Sequence, residues 1–226
     1  MEQQFLRTPT GADLNLYKIV SESPPRGILQ ITHGMVEHAG RYHRFAKLCA
    51  VAGFTVFVHD LRGHGNTKAE GAPLGRFSSS DGLKLVLEDQ NSVIDHIVQE
   101  FPNVPIIAFG HSLGAIIALN YVFKYPKKIQ ALACWNKPES GLLARLSTLL
   151  LRTESLFKDP ALASFFAWKL SYGAWNAKFK PNRTMADWIS QDEVEVDKYV
   201  ADPLCGFDVS ISLWLDVLEG AFNSSN

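Results

Sequence analysis

Apolar residues in this chain follow two patterns, short continuous runs and longer segments with helical spacing. The continuous runs are typical of strands buried on both faces of a parallel sheet, and they cover residues 27–32, 54–58, 106–109 and 129–135. Helical spacing covers residues 41–52, 83–101 and 115–125. Strands that alternate with helices of this length pair in parallel through right-handed crossovers. The pattern therefore predicts an α/β fold, a three-layer sandwich with a mostly parallel sheet.

Local signals predict how several of these elements begin. Residues 4–8 and 14–20 read as two strands of an opening hairpin. Residues 78–81 offer N-caps for the helix that follows them, and Asp208 or Ser210 can cap a last helix.

One internal segment breaks the alternation of strands and helices. Residues 139–207 carry apolar clusters at helical spacing and no convincing strand, which indicates a helical insertion. We therefore divide the chain into a core (1–138), a helical cap (139–207) and a helix that returns to the core (208–226).

The sequence Gly110-His111-Ser112-Leu113-Gly114 lies between a predicted buried strand and a predicted buried helix. A Gly-x-Ser-x-Gly in this context is the sequence form of a nucleophile elbow, in which a strained turn exposes the serine hydroxyl. We expect Ser112 to adopt a positive φ and to act as a nucleophile. The alternative is a packing turn with an inert serine.

Two further loops follow predicted strands. His33-Gly34 follows the strand over 27–32, and Asp60 to Gly65 follows the strand over 54–58. Sites in parallel α/β sheets form at the carboxyl ends of the strands, so we expect both loops to lie near Ser112.

Charge and cysteine content narrow the function classes. Twenty-two basic and twenty-three acidic residues give a net charge of -1 without long runs of either sign, which argues against nucleic acid as a partner. The three cysteines are distant in sequence and lie among apolar residues, so we expect buried free thiols. No secretory signal or apolar run of membrane-spanning length is present, and we expect a cytoplasmic protein without cofactor or metal.

Four motifs taken together resemble a known family. They are His33-Gly34-Met35-Val36-Glu37-His38 with Gly40-Arg41-Tyr42, Asp60-Leu61-Arg62-Gly63-His64-Gly65, the 110–114 turn, and Ala201-Asp202-Pro203-Leu204. In this order they resemble the α/β-hydrolase fold, specifically its monoacylglycerol lipase and lysophospholipase group, which is also grouped with serine aminopeptidases.

The resemblance implies a serine hydrolase that cleaves esters of lipid-like substrates, a monoacylglycerol or a lysophospholipid, through an acyl-enzyme. It implies that Ser112 is the nucleophile and that the backbone N–H groups of Met35 and Leu113 form the oxyanion hole. The insertion would be the family's cap, which covers the serine, receives an acyl chain and can touch a membrane surface transiently. A peptidase, a general carboxylesterase and a non-catalytic binder of apolar ligands remain alternatives.

The chain departs from this family in its histidines. The family's triad runs Ser, then Asp or Glu, then His, whereas all seven histidines here precede Ser112. We therefore assign neither the acid nor the histidine of a triad, and expect C-terminal strands to be missing and turnover to be poor. We expect structural roles for His33 and His111, loop hydrogen bonds for His38, His59 and His64, and ordinary helix positions for His43 and His96. A sheet that stops at residues 129–135 would leave an apolar edge for self-association.

Overall fold

The computed structural model describes residues 1–138 and 140–225, and its strands form one mixed sheet. The strands are β1 (Glu2–Arg7), β2 (Asp13–Ile19), β3 (Gly27–Thr32), β4 (Phe54–His59), β5 (Ile106–His111) and β6 (Ala131–Trp135). Their spatial order is β1-β2-β4-β3-β5-β6. Strands β3 to β6 pair in parallel, while β2 runs antiparallel to both of its neighbours. The predicted hairpin and the mostly parallel sheet are confirmed.

Helices connect the strands and make up most of the segment after β6. The α-helices are α1 (His43–Val51), α2 (Gly82–Glu100), α3 (Leu113–Lys124), α4 (Leu142–Glu154), α5 (Phe165–Trp168), α6 (Ala174–Asn176), α7 (Glu193–Ala201) and α8 (Ile211–Asn223). Single turns of tighter or wider helix occupy Ala39–Tyr42, Lys169–Gly173 and Ala177–Phe179.

The helices bury both faces of the sheet, which gives the three predicted layers. One apolar cluster contains residues from α2, α3 and α8, including Ile94, Ile116 and Leu213. The other lies on the α1 side and contains Ile31, Ala46 and related residues. Strand β3 is buried along its whole length. The strand ends that carry the candidate site are therefore held from both faces.

Strand β6 differs from the prediction of a buried strand. It forms the edge of the sheet, and four of its five residues are exposed, with 67% of Trp135 accessible. Cys134 is exposed for the same reason, so the expected burial holds for Cys205 but not for Cys134, and Cys49 is half-buried. Apolar sequence predicts a strand here but says nothing of whether a neighbour covers it.

The start of α2 also differs from the prediction. Asp81 occupies the N-cap position with φ 52° and makes no side-chain cap, and no capping bond from Ser78 to the helix replaces it. Instead the Asp216 carboxylate of α8 lies against this end, close enough that a Cβ on Gly82 would be 2.0 Å from its Oδ2. The start of α8 agrees with the prediction, since Ser210 Oγ accepts a hydrogen bond from Leu213 N.

The segment from α4 to α7 is mostly helical, as the sequence predicts for the cap. Its long helix α4 leaves large leucines accessible to solvent, among them Leu142, Leu146 and Leu149. Glu139, where the predicted cap begins, and Asn226 lie outside the described residues, and the division into core, cap and returning helix stays a prediction. Across the part of the chain that the structure describes, no helix is both long and apolar enough to cross a bilayer.

Candidate active site

The 110–114 turn joins β5 to α3 and holds Ser112 in a strained conformation. Ser112 has φ 52° and ψ −115°, outside the regions that residues with a Cβ favour. A Cβ on Gly110 would lie 2.3 Å from the Gly114 oxygen, and a Cβ on Gly114 would lie 2.0 Å from the Thr32 oxygen. Only glycine fits at either position. The predicted positive φ is confirmed, and the turn has the form of a nucleophile elbow.

Ser112 borders a mostly apolar cavity of about 520 Å³ between the sheet and the segment from α4 to α7. The core contributes Met35, Glu37 and Leu113 to its wall. Aromatic residues form much of the opposite wall, namely Tyr172, Trp175, Phe179, Trp188, Tyr199 and Trp214. A cavity of this size and lining suits a small ligand with a long apolar part.

The backbone amides that the resemblance implies as oxyanion donors belong to two residues of this wall. Leu113 is the first residue of α3, so its N–H has no acceptor within the helix. Within residues 1–138 and 140–225, neither Leu113 nor Met35 donates its amide to a loop or turn carbonyl. Free donors beside a nucleophile are what acyl transfer requires. That the two amides converge on one point stays a prediction.

Glu37 fixes the loop that carries Met35. Its Oε1 accepts hydrogen bonds from Gly34 N at 2.6 Å and from Tyr42 Oη at 2.8 Å, and its Oε2 accepts one from Arg41 Nε at 3.2 Å. His111 Nδ1 lies 3.3 Å from Oε1, which links the loop to the elbow. Burial alone would raise the pKa of Glu37, but the hydrogen bonds with His111 and Tyr42, that with His111 foremost, hold this pKa at about 2. Glu37 therefore stays ionised at neutral pH.

The far end of the same loop is joined to the segment after α7. His38 Nε2 lies 2.9 Å from Asp202 Oδ2, and Leu204 N donates to Asp202 Oδ1 at 2.8 Å. Burial opposes ionisation of Asp202, but these two hydrogen bonds keep its pKa below the usual range. The His-Gly and Asp-Pro-Leu motifs, 164 residues apart, thus meet in one structure.

Three histidines, His33, His59 and His64, are fully buried, and the first and last of them hold loop backbone by hydrogen bonds. His33 Nε2 accepts a hydrogen bond from Leu61 N at 2.9 Å, and its Nδ1 donates to Gly34 O at 2.7 Å. His64 Nδ1 bonds Arg62 O, whereas neither ring nitrogen of His59 has a partner within the described residues. The expected hydrogen bond is therefore wrong for His59. Burial lowers the pKa of His59 and His64 to about 3, so both are neutral.

No histidine of the chain acts on Ser112 in this structure. His111 bonds Tyr42 and Glu37, His96 lies beside Gln4, and His43 opens α1 at the surface. Across residues 1–138 and 140–225, no side chain is hydrogen-bonded to Ser112 Oγ. The described residues therefore supply no base for the serine.

His38, Asp202 and Cys205 form a cluster whose donor atoms lie within 4.8 Å of one another. The imidazole and the carboxylate already bond each other. Burial raises the pKa of the Cys205 thiol to about 12, which disfavours the thiolate that a metal requires. We assign no metal to this cluster.

The sequence motifs contain several site residues to which the pattern alone gave no role. Glu37 and Tyr42 lie inside the quoted His-Gly motif, and Tyr199 lies three residues before Asp202. Position within a motif could have singled out Glu37 and Tyr42, whereas Tyr199 lies outside the quoted motif and had only its closeness to that motif as a signal. The hydrogen bonds of Glu37 within its own loop are local. Its link to His111 and the bond from Tyr199 to Val36 join distant positions, so no local pattern predicts them.

Comparison with known proteins agrees with the fold and the motifs. Monoglyceride lipase from Mus musculus is 28% identical over 200 residues, which are 86% of this chain and 58% of that protein. Monoacylglycerol lipase from Mycolicibacterium smegmatis is 33% identical over 111 residues, 49% of this chain and 38% of that protein. The chain thus spans less than two thirds of the length of these curated relatives.

The fold also matches solved structures. A thermostable carboxyl esterase from Bacillus coagulans superposes with a TM-score of 0.86 at 22% identity, covering 97% of this chain and 72% of that one. The family model described as "Serine aminopeptidase, S33" matches residues 23–223. The resemblance drawn from the four motifs is confirmed, and the chain belongs to the serine aminopeptidase S33 family with an α/β-hydrolase fold.

Proposed function

We propose that this chain is the catalytic core of a serine hydrolase that cleaves carboxylic esters of lipid-like molecules. The observation that carries the proposal is the strained Ser112, with φ 52°, at the wall of an apolar cavity. In the proposed reaction Ser112 Oγ attacks the ester carbonyl carbon and loses its proton, and the alcohol leaves with a proton. Water then attacks the acyl carbonyl carbon, the bond from that carbon to Ser112 Oγ breaks, and the carboxylic acid is released while Oγ regains a proton from the water. Met35 and Leu113 donate their amides to the oxyanion in both steps.

The proposal assigns no triad acid or histidine to the described residues. Ser112 Oγ keeps its proton near neutral pH unless a base is in contact with it. A serine hydrolase that lacks triad members typically retains about 10³- to 10⁴-fold acceleration over the reaction in water, which the oxyanion hole and substrate binding supply. We therefore expect residues 1–226 alone to hydrolyse esters slowly.

The cavity supports an acyl substrate, because its wall is mostly apolar and aromatic. The curated relatives named as monoglyceride lipases favour a monoacylglycerol or lysophospholipid over a peptide. A carboxylesterase of wider range, a peptidase and a non-catalytic binder of apolar ligands are the other outcomes. Rates across an ester chain-length series separate them, since each buried methylene contributes about 0.8 kcal/mol. A flat profile would reject an acyl pocket.

We also propose that the cap touches a lipid surface while it collects substrate. Exposed apolar residues on α4 and after it support this, including Leu142, Leu146, Leu149 and Phe157. Replacing Leu146 and Leu149 by serine should reduce co-sedimentation with phosphatidylcholine vesicles. Leu48→Ser with Val51→Ser on α1, where both side chains are exposed, serves as the matched control, and equal sedimentation of all variants would contradict the contact.

The exposed edge of β6 supports self-association through a second copy of the chain. Its outer backbone groups face no strand within the described residues, and Trp135 is accessible. A lysine at Trp135 should shift sedimentation-velocity profiles from dimer to monomer. A wild-type chain that is monomeric at every concentration would contradict this proposal.

The proposal places the protein in the cytoplasm, where its three free thiols would remain reduced. Burial raises the pKa of Cys49 and Cys205, so both are thiols near neutral pH. Fractionation of the native host, with an antibody against this chain, tests the location.

The direct test is to express residues 1–226 beside the chain that runs to the natural stop codon of the gene. Hydrolysis of a short-chain and a medium-chain ester is measured with each, together with Ser112→Ala. We expect Ser112-dependent turnover that is much faster in the version read to the stop codon. Comparable, Ser112-dependent turnover by residues 1–226 would mean that one of the upstream histidines serves as base.

A further inference from the structure

Val36, next to the proposed oxyanion donor Met35, has an unusual backbone conformation. Its φ is 56°, in the left-handed region, and its side chain is buried. Valine is branched at Cβ, so this region is strongly unfavourable for it. The conformation persists only if surrounding contacts hold it.

Those contacts come from the segment after α7. The Val36 carbonyl oxygen accepts hydrogen bonds from Gly206 N at 2.9 Å and from Tyr199 Oη at 3.1 Å. Tyr199 belongs to α7 and is buried, and the Arg41 guanidinium lies 4.9 Å from the centre of its ring. The Val36 carbonyl is thus held by residues of the predicted cap and not by residues of its own loop.

The residues on either side of Met35 and Val36 are anchored as well. Gly34 N donates to Glu37, and His38 bonds Asp202. Met35 therefore lies between fixed points at the cavity wall, and its amide donates to no loop or turn carbonyl of residues 1–138 and 140–225. If Val36 relaxed to a negative φ, the Met35–Val36 peptide would rotate and Met35 would move relative to Ser112.

We propose that Tyr199 is a positioning residue of the reaction, and that its hydroxyl holds Val36 so that the Met35 amide meets the oxyanion. Helix α7 of the cap is thereby coupled to the oxyanion hole, and displacement of α7 weakens transition-state stabilisation without removing the nucleophile. This inference rests on the proposed function. It adds to the machinery a residue outside the core, which borders the cavity and whose hydroxyl acts on the oxyanion hole through Val36 and not by contact with Ser112.

The test compares Tyr199→Phe with Tyr121→Phe in the protein expressed to its natural stop codon. Tyr121 is a suitable control because it is equally buried and its hydroxyl also makes one hydrogen bond, to Asn91 at 3.2 Å. Each variant is assayed on an ester and on the matching thionoester, whose sulfur is a weak hydrogen-bond acceptor. We expect Tyr199→Phe to lower kcat for the ester about 10- to 100-fold with KM nearly unchanged. The thionoester rate should fall far less, and Tyr121→Phe should affect neither substrate.

A second measurement does not depend on turnover. Residues 1–226 are labelled with ¹³C and ¹⁵N, and the backbone shifts of Val36, which report its φ, are compared in wild type and Tyr199→Phe. We expect these shifts to move towards values for negative φ, and amide exchange at Met35 to accelerate. Ser112→Ala separates the proposed function from the proposed role of Tyr199. Undiminished hydrolysis in that variant rejects the proposed function, while the Val36 shifts still test whether the Tyr199 hydroxyl holds Val36. Unchanged Val36 shifts, or equal losses on ester and thionoester, would overturn the inference.

Discussion

The elbow and helix α4 are both rich in apolar residues, but only the elbow is enclosed. Around the elbow, Leu113 and Ile116 are buried, and Gly110 and Gly114 touch backbone atoms on neighbouring elements. On α4, by contrast, Leu142 and Leu149 are 73% and 64% exposed. The elbow is held by packing except where Ser112 borders the cavity, whereas α4 presents an apolar face that the described residues leave exposed.

Apolar residues therefore have different roles in these two regions. In the core, burial fixes the serine's strained backbone against relaxation, and the geometry needed for chemistry follows from packing. On α4, the exposed leucines bury little surface and therefore stabilise the chain little, and the contact with lipid proposed above would use them. Substitutions should therefore have large effects on folding around the elbow and small ones on α4.

The largest contrast is expected between two glycines. Gly114→Ala would place a Cβ 2.0 Å from the Thr32 oxygen, whereas a Cβ on Gly141, at the start of α4, meets nothing within 4 Å. We expect Gly114→Ala to reduce the free energy of unfolding by about 3 kcal/mol or more. Gly141→Ala should cost less than about 1 kcal/mol. Urea denaturation measures both, and a mild effect at Gly114 would mean that the elbow can relax.

A smaller contrast is expected between two large aliphatic side chains. Ile116 is fully buried in α3, and Leu149 is exposed on α4. Ile116→Ala should reduce the free energy of unfolding by about 2–4 kcal/mol through lost burial and a residual cavity. Leu149→Ala should change it by no more than about 0.5 kcal/mol. Thermal melts of the two variants test the pair, and equal losses would show that α4 is covered in solution.

The smallest effect concerns Asp216, which lies between α8 and the start of α2. Burial raises its pKa to about 6, and the nearby Glu219 and Asp81 carboxylates add to this. As the pH rises, Asp216 ionises in the unfolded state before it does so in the folded state. Its contribution to the free energy of unfolding is therefore greatest below about pH 4 and is lost by about pH 7. As the pH is raised from about 4 to about 7, the free energy of unfolding of Asp216→Asn should therefore increase relative to that of the wild type, by about 1–2 kcal/mol after allowance for solvent screening. Denaturant curves across this pH range provide the check, and a constant difference would contradict the raised pKa.

Much of the core could be predicted from the sequence, because buried strands require continuous apolar runs and buried helix faces require apolar residues at helical spacing. Strand β3 has the predicted bounds of 27–32, and the serine turn falls where its glycines indicated. The exposure of β6 could not be predicted, since an apolar run is the same whether or not a neighbour covers it. The Asp216 contact with α2 and the Tyr199 contact with Val36 join residues more than 100 positions apart, and no local pattern records them.

The central claim is that Ser112 is the nucleophile, and trapping the covalent intermediate tests it most directly. The protein read to its natural stop codon is mixed with a p-nitrophenyl ester, quenched in acid during the first turnover, digested and mapped by mass spectrometry, with Ser112→Ala in parallel. The account predicts one acyl adduct, on Ser112, that is absent from the variant. An adduct on another residue, or hydrolysis that persists undiminished in Ser112→Ala, would contradict it.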